Sequence, residues 1–160
     1  MAECCGAGRF DSDGPMACVG CRTTGKRVDS LTVKALLTES ALRRFESATY
    51  FFCPDPGCDI SYFAENGPSF SKDDVRVAIW QKAPAGQRVI CYCFGENERD
   101  IASEIHQSGL SLAVDRIRAH ISAGRCACEA RNPRGACCLS DVAAAVDRLR
   151  EAPVSETRRA

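Results

Sequence analysis

Twelve cysteines in a chain of 160 residues restrict what this protein can be more than any other feature. They stand at positions 4, 5, 18, 21, 53, 58, 91, 93, 126, 128, 137 and 138, in short pairs. In an oxidising compartment that density reads as a disulfide framework; in a reducing one it reads as metal ligation. C-x-C and C-x-x-C turns aim two thiolates at one ion. Met1–Gly6 carries neither the basic region nor the apolar stretch of a signal peptide. The expectation is a cytoplasmic metal protein.

Lysine plus arginine equals aspartate plus glutamate at 21 each, which argues against a nucleic-acid binder that relies on a broad basic field. No run of apolar residues is long enough to insert into a membrane. No Ser-His-Asp set, phosphate-cradling glycine loop or H-E-x-x-H motif points to a hydrolase or NTPase. A binding or electron-transfer protein is expected rather than an enzyme, with reduction of Cu(II) the one activity considered.

The periodicities indicate an α+β chain: a small β-hairpin or three-stranded module with a helix, followed by a helical module. Residues 1–16 and 152–160 are expected as flexible tails, 17–82 as the first module, 83–88 as a linker and 89–151 as the second module. Val33, Leu36, Leu37, Leu42 and Phe45 follow helical spacing, with a break near Thr38. Tyr50–Phe52 and Ile60–Phe63 read as strands flanking Cys53-Pro-Asp-Pro-Gly-Cys58, a turn with cysteines at the hairpin tip. Val75, Val77 and Ile79 alternate as a third strand would. Ile101 and Ile105 mark one helix. Gly109 separates it from a second with Leu110, Val114, Ile117 and Ile121. Ser140 is the expected N-cap of a third, with Val142, Val146 and Leu149 turned inward.

Cys18-x2-Cys21 and Cys53-x4-Cys58 supply four thiolates as two short pairs, the usual format of a closed structural Zn²⁺ site. Such a site contributes folding free energy to a small module. Iron in the same tetrahedron, a pair of redox dithiols, and Asp55 or Asp59 in place of one sulfur are the alternatives.

The second half offers six cysteines: Cys91-Tyr92-Cys93, and Cys126, Cys128, Cys137 and Cys138 around Asn132-Pro133-Arg134-Gly135. C-x-C, then a helical stretch, then further cysteines before a helix resembles the [2Fe–2S] domain of bacterioferritin-associated ferredoxin. The two modules in this order resemble the N-terminal region of CopZ-type copper chaperones. That resemblance implies Cys91, Cys93, Cys128 and Cys138 as [2Fe–2S] ligands and Cys18, Cys21, Cys53 and Cys58 as zinc ligands. Cys126 and Cys137 are then small residues beside the cluster, or thiols with a transient role.

Chaperones of this type carry a further βαββαβ domain with a Met-x-Cys-x-x-Cys loop that holds Cu(I). Few residues follow the second module, so that domain is expected to be absent here. The expected partners are therefore copper or other soft ions, with a copper-transporting ATPase or a separate heavy-metal-domain protein. Cys4 and Cys5 are candidate soft-metal ligands for Cu(I) or Hg(II), against two unremarkable exposed thiols. Three functions are compatible with these motifs: an electron-transferring metallochaperone, a ferredoxin-like carrier that docks on a reductase or an iron-storage protein, and a redox- or metal-sensing interaction module. His106 and His120 are expected to be solvated or satisfied, Trp80 to lie in the core, and Arg116, Arg118, Arg148 and Arg150 to form a solvated face.

Overall fold

The computed structural model describes residues 14–152. Cys4 and Cys5, and most of both expected tails, lie outside the described residues. Met16, assigned to the N-terminal tail, packs against the cluster of Cys18, Phe51, Cys53 and Phe63.

The first half is an antiparallel sheet of four strands in sequence order: β1 (Lys26–Val28), β2 (Tyr50–Phe52), β3 (Ile60–Ala64) and β4 (Ser69–Ser71). Two helices, α1 (Ser30–Leu36) and α2 (Glu39–Leu42), supply the residues that cover one face. The period-2 alternation sorts the aromatics. Tyr50, Phe52, Tyr62 and Phe70 pack with Val33, Leu36, Leu37 and Ala41 in the main core. Phe51 and Phe63, cross-strand partners, stack at 5.7 Å between ring centroids and join Cys18 and Cys53 in a separate apolar cluster.

The helical period over 31–45 is broken where expected. Leu37 is extended, and Thr38 N-caps α2 while its own N–H donates to Asp74 O at 2.8 Å. The third strand expected at 75–79 is not formed. Ser71 and Asp74 close a capping box that ends β4 in a tight turn, and Val75 keeps only an isolated bridge to Leu37. Val75 and Ile79 are buried by packing in the main core, which imitates strand alternation. The strands actually added are β4 and β1. Of the three β1 residues only Val28 is buried, so β1 has no apolar signature.

The second half joins a short hairpin, β5 (Val89–Cys91) and β6 (Glu96–Asn97), to helices α3 (Glu98–Ser108), α4 (Ala113–Ser122), α5 (Cys128–Arg131) and α6 (Leu139–Glu151). Ile90, Ile101, Ala113, Ile117, Val142, Ala145 and Val146 form its core, with Trp80 packed against it. Asn97 caps α3 by accepting from Asp100 N at 3.0 Å, and Gly109 ends it in the left-handed conformation at φ 80°. Helix α6 begins before Ser140: Cys138 is its cap, and Cys138 O accepts from Val142 N at 3.0 Å. The four-residue helix α5 lies inside what reads as a cysteine loop. Two of the arginines expected on a solvated face are structural. Arg116 bridges Glu96 and Glu104, and Arg148 reaches the buried Glu98 at 2.5 Å. Residues 83–88 are tied to α3, since Gly86 N donates to Glu98 Oε2 at 2.6 Å.

Candidate metal centres

Cys18 and Cys21 lie in a knuckle ahead of β1, while Cys53 follows β2 and Cys58 precedes β3. Hairpin and knuckle bring all four sulfurs within 4.8 Å of one another. Cys21 and Cys53 are 3.6 Å apart and Cys18 and Cys58 3.9 Å. A tetrahedron with Zn–S bonds of about 2.3 Å has edges of about 3.8 Å. The donor set and its spacing fit zinc.

Backbone amides two residues beyond the cysteines face the sulfurs. The Thr23 hydroxyl and then its N–H bring the Cys21 thiol down to about 7. Burial pushes Cys53 and Cys58 up, opposed by N–H groups of Asp55 and Ile60. Hydrogen bonds of this kind favour thiolate and orient it. The two aspartates considered as replacements for a sulfur have other partners. Asp55 accepts from Gly57 N at 2.8 Å, and Asp59 pairs with Lys72 at 2.8 Å. Lys82, which the motifs did not single out, donates from Nζ to Asp55 O at 2.6 Å and Cys58 O at 2.8 Å. Its ammonium pins the turn and brings positive charge toward a site that four thiolates would make anionic.

The other cysteines gather at the junction of β5, α5 and α6. Cys91 ends β5, Cys93 lies in the following turn, Cys128 opens α5 and Cys138 caps α6. They meet as two pairs. Cys93 Sγ is 3.8 Å from Cys128 Sγ, again the edge expected of two sulfurs on one ion. The neighbouring Cys138 brings Cys91 down to about 7, and Cys91 in turn pushes Cys138 up. Burial, and then the neighbouring Cys93, push Cys128 up to about 12.

Amides line this site too. Ala127 N donates to Cys93 Sγ at 3.3 Å, the N–H groups of Phe94 and Cys93 face Cys91, and that of Cys138 faces Cys128. Gly95, at φ 74°, lets the Cys91–Gly95 turn close with its N–H on Cys91 O at 2.8 Å. Cys126 and Cys137 are exposed, while Cys91, Cys128 and Cys138 are buried. His120 stacks on Phe94 with ring centroids 3.9 Å apart, and its Nδ1 has no partner; His106 is exposed.

Comparison with known proteins agrees with the geometry of the first site. Residues 15–76 match the zf_CopZ family, a zinc binding domain. The first module is thus similar to this zinc-binding domain. The chain is 29% identical over 123 residues to the copper chaperone CopZ of Archaeoglobus fulgidus, a match covering 77% of this chain and 58% of that protein. The chain thus spans little more than half the length of this curated relative. The X-ray structure of the Archaeoglobus fulgidus CopZ N-terminal domain superposes with a TM-score of 0.64 at 26% identity, covering 81% of this chain and 96% of that one. The Cys₄ group of the first site fits Zn²⁺. Among the described residues no helix is long and apolar enough to cross a membrane.

Proposed function

We propose that this chain is a cytoplasmic metallochaperone of the CopZ type. Cys18, Cys21, Cys53 and Cys58 hold a structural zinc, and Cys91, Cys93, Cys128 and Cys138 hold a [2Fe–2S] cluster. The observation that carries the reading is the second quartet: two sulfur pairs, mostly buried, with backbone N–H groups turned toward them. When bound, such a cluster supplies one-electron chemistry, the step that converts Cu(II) to Cu(I). The chain's own contribution is to hold four thiols in two pairs, donate amide hydrogen bonds to them and place the N-terminus of the thirteen-residue helix α6 at Cys138. The copper ion is the substrate. A copper-transporting ATPase or a heavy-metal-domain protein is the partner that receives it.

The first test is the visible spectrum of protein purified without oxygen, with iron, sulfide and zinc content. Broad absorption that bleaches with dithionite, two irons per chain and one zinc are the expected result. Colourless, iron-free protein from iron-replete cells would overturn the cluster assignment and leave a zinc module with free thiols. Copper binding and Cu(II) reduction then separate a chaperone from a ferredoxin-like carrier, which exchanges electrons without retaining copper.

A further inference from the structure

The loop that carries Cys128 and Cys138 is fastened in large part to the other module. Asn132, almost fully buried, staples the loop internally: its Nδ2 donates to Ala136 O at 2.7 Å and its Oδ1 accepts from Arg134 N at 3.0 Å. The loop's position in space is set by two hydroxyls of the first module. Thr32 on α1 donates to Glu129 O at 2.6 Å, and Tyr62 on β3 donates to Pro133 O at 2.7 Å. Both donors are completely buried. Gly135 closes the contact. It has φ 65°, and a Cβ there would lie 2.8 Å from Thr32 Oγ1.

These anchors hold the first half of the loop: Glu129 is the neighbour of Cys128, and Pro133 lies midway to Cys138. Tyr62 rides on the hairpin whose end carries Cys53 and Cys58, and its cross-strand partner Phe52 immediately precedes Cys53. A movement of the hairpin at the first sulfur quartet is therefore passed through a rigid strand pair to the loop of the second.

We infer that Tyr62 and Thr32 are positioning residues for the Cys128–Cys138 loop, and that zinc at the first quartet pre-arranges the second. The inference takes from the proposed function the pairing of Cys128 and Cys138 with Cys93 and Cys91. Its physical basis is independent of what that quartet binds. A loop held by two buried hydrogen bonds has already lost the freedom it would lose on closing around a ligand. The coupling is reciprocal, so filling the second quartet also tightens the first.

The test uses the full chain, zinc-loaded, reduced and free of iron. Alkylation by iodoacetamide is followed cysteine by cysteine with peptide mass spectrometry. Tyr62→Phe keeps the ring and leaves Pro133 O without its donor, and Thr32→Val does the same at Glu129 O. Each variant should speed labelling of Cys128 and Cys138 about tenfold, the scale of a buried carbonyl left unpaired. Cys126 and Cys137, already exposed, serve as references that do not change, and zinc content stays at one per chain. Removing zinc from the parent protein should speed the same two sites.

In protein carrying a cluster, the same substitutions should speed bleaching by an iron chelator to a similar degree. Unchanged labelling of Cys128 and Cys138 in both variants would overturn the inference. So would equal acceleration at every buried cysteine, which signals general loosening. If one variant fails to fold, the other decides. If the parent protein takes up no cluster, the proposed function fails while the labelling experiment still decides this inference.

Discussion

Gly25→Ala tests how the first metal site is held. Gly25 crosses the outer face of the sheet just after the Cys18–Cys21 knuckle, with its N–H on Met16 O at 2.7 Å. A methyl at this position would lie 2.5 Å from Phe63 Cζ and 2.9 Å from Phe51 Cβ. Carbon atoms in good contact stand about 3.5 Å apart, so the methyl demands about 1 Å from the ring and half of that from the strand. Neither yields easily. Phe63 is fully buried and stacked on Phe51, whose Cβ is fixed to a strand paired on both sides. The displacement passes to the segment that carries Cys18 and Cys21, whose sulfurs sit 3.9 and 3.6 Å from their partners. Overpacking of this kind costs about 1–3 kcal/mol, a five- to 150-fold loss of zinc affinity if the cost falls on the bound state. Equilibrium competition with a chromophoric chelator measures it. Gly57→Ala is the control, since its Cβ would meet only Asp55 Oδ1 at an ordinary 3.4 Å. Zinc affinity of Gly25→Ala within twofold of the parent would refute the claim that the knuckle is seated against the phenylalanine pair.

Three further outcomes are expected. Lys82→Met removes the ammonium from Asp55 O and Cys58 O, at a cost of about 1.5–3 kcal/mol for charge-assisted bonds, and speeds zinc release in stopped-flow chelation without changing stoichiometry. Stripping zinc frees the knuckle and uncovers Phe51 and Phe63, so the protein should bind a fluorescent apolar dye while retaining most of its far-ultraviolet dichroism, because the Tyr50–Phe52–Tyr62–Phe70 core lies on the other face; complete loss of helical signal would contradict that separation. Glu98→Gln leaves Arg148 and Arg88 without their buried carboxylate and should lower stability by about 1–3 kcal/mol in a denaturant titration, the range being reduced because Arg148 is half exposed.

The sequence revealed most about the cysteines and least about what surrounds them. Pair spacing brought Cys18, Cys21, Cys53 and Cys58 together because short turns leave two thiols few places to go, and the hairpin between Tyr50 and Phe63 followed from the proline- and glycine-rich turn between its strands. Strand β1 escaped notice because Lys26 and Arg27 face solvent, so only pairing with β2 defines it. Residues 75–79 misled for the converse reason: burial by packing gave them a strand-like alternation with no ladder to join. Ser140 is an ordinary capping residue by type, yet Cys138 stands at the cap of α6 with no side-chain capping bond, so residue type alone did not mark the start. Lys82, Thr32 and Tyr62 carry no local signal at all. Their partners lie 24 to 97 residues away in the chain, and only the assembled fold brings them together.

The two sulfur sets also differ in when they can be completed as the chain is synthesised. The first needs nothing beyond Cys58, and the sheet behind it is finished at Ser71. The second is split across time: Cys93 must wait 35 residues for Cys128, and Cys91 waits longer for Cys138. A nascent chain leaving the ribosome can therefore close its first module while Cys91 and Cys93 are still unpartnered. Until Cys128 and then Cys138 emerge those two thiols are open to oxidants and stray soft ions. Completion of the second quartet is thus a late event, and the early module provides the surface on which the late loop comes to rest.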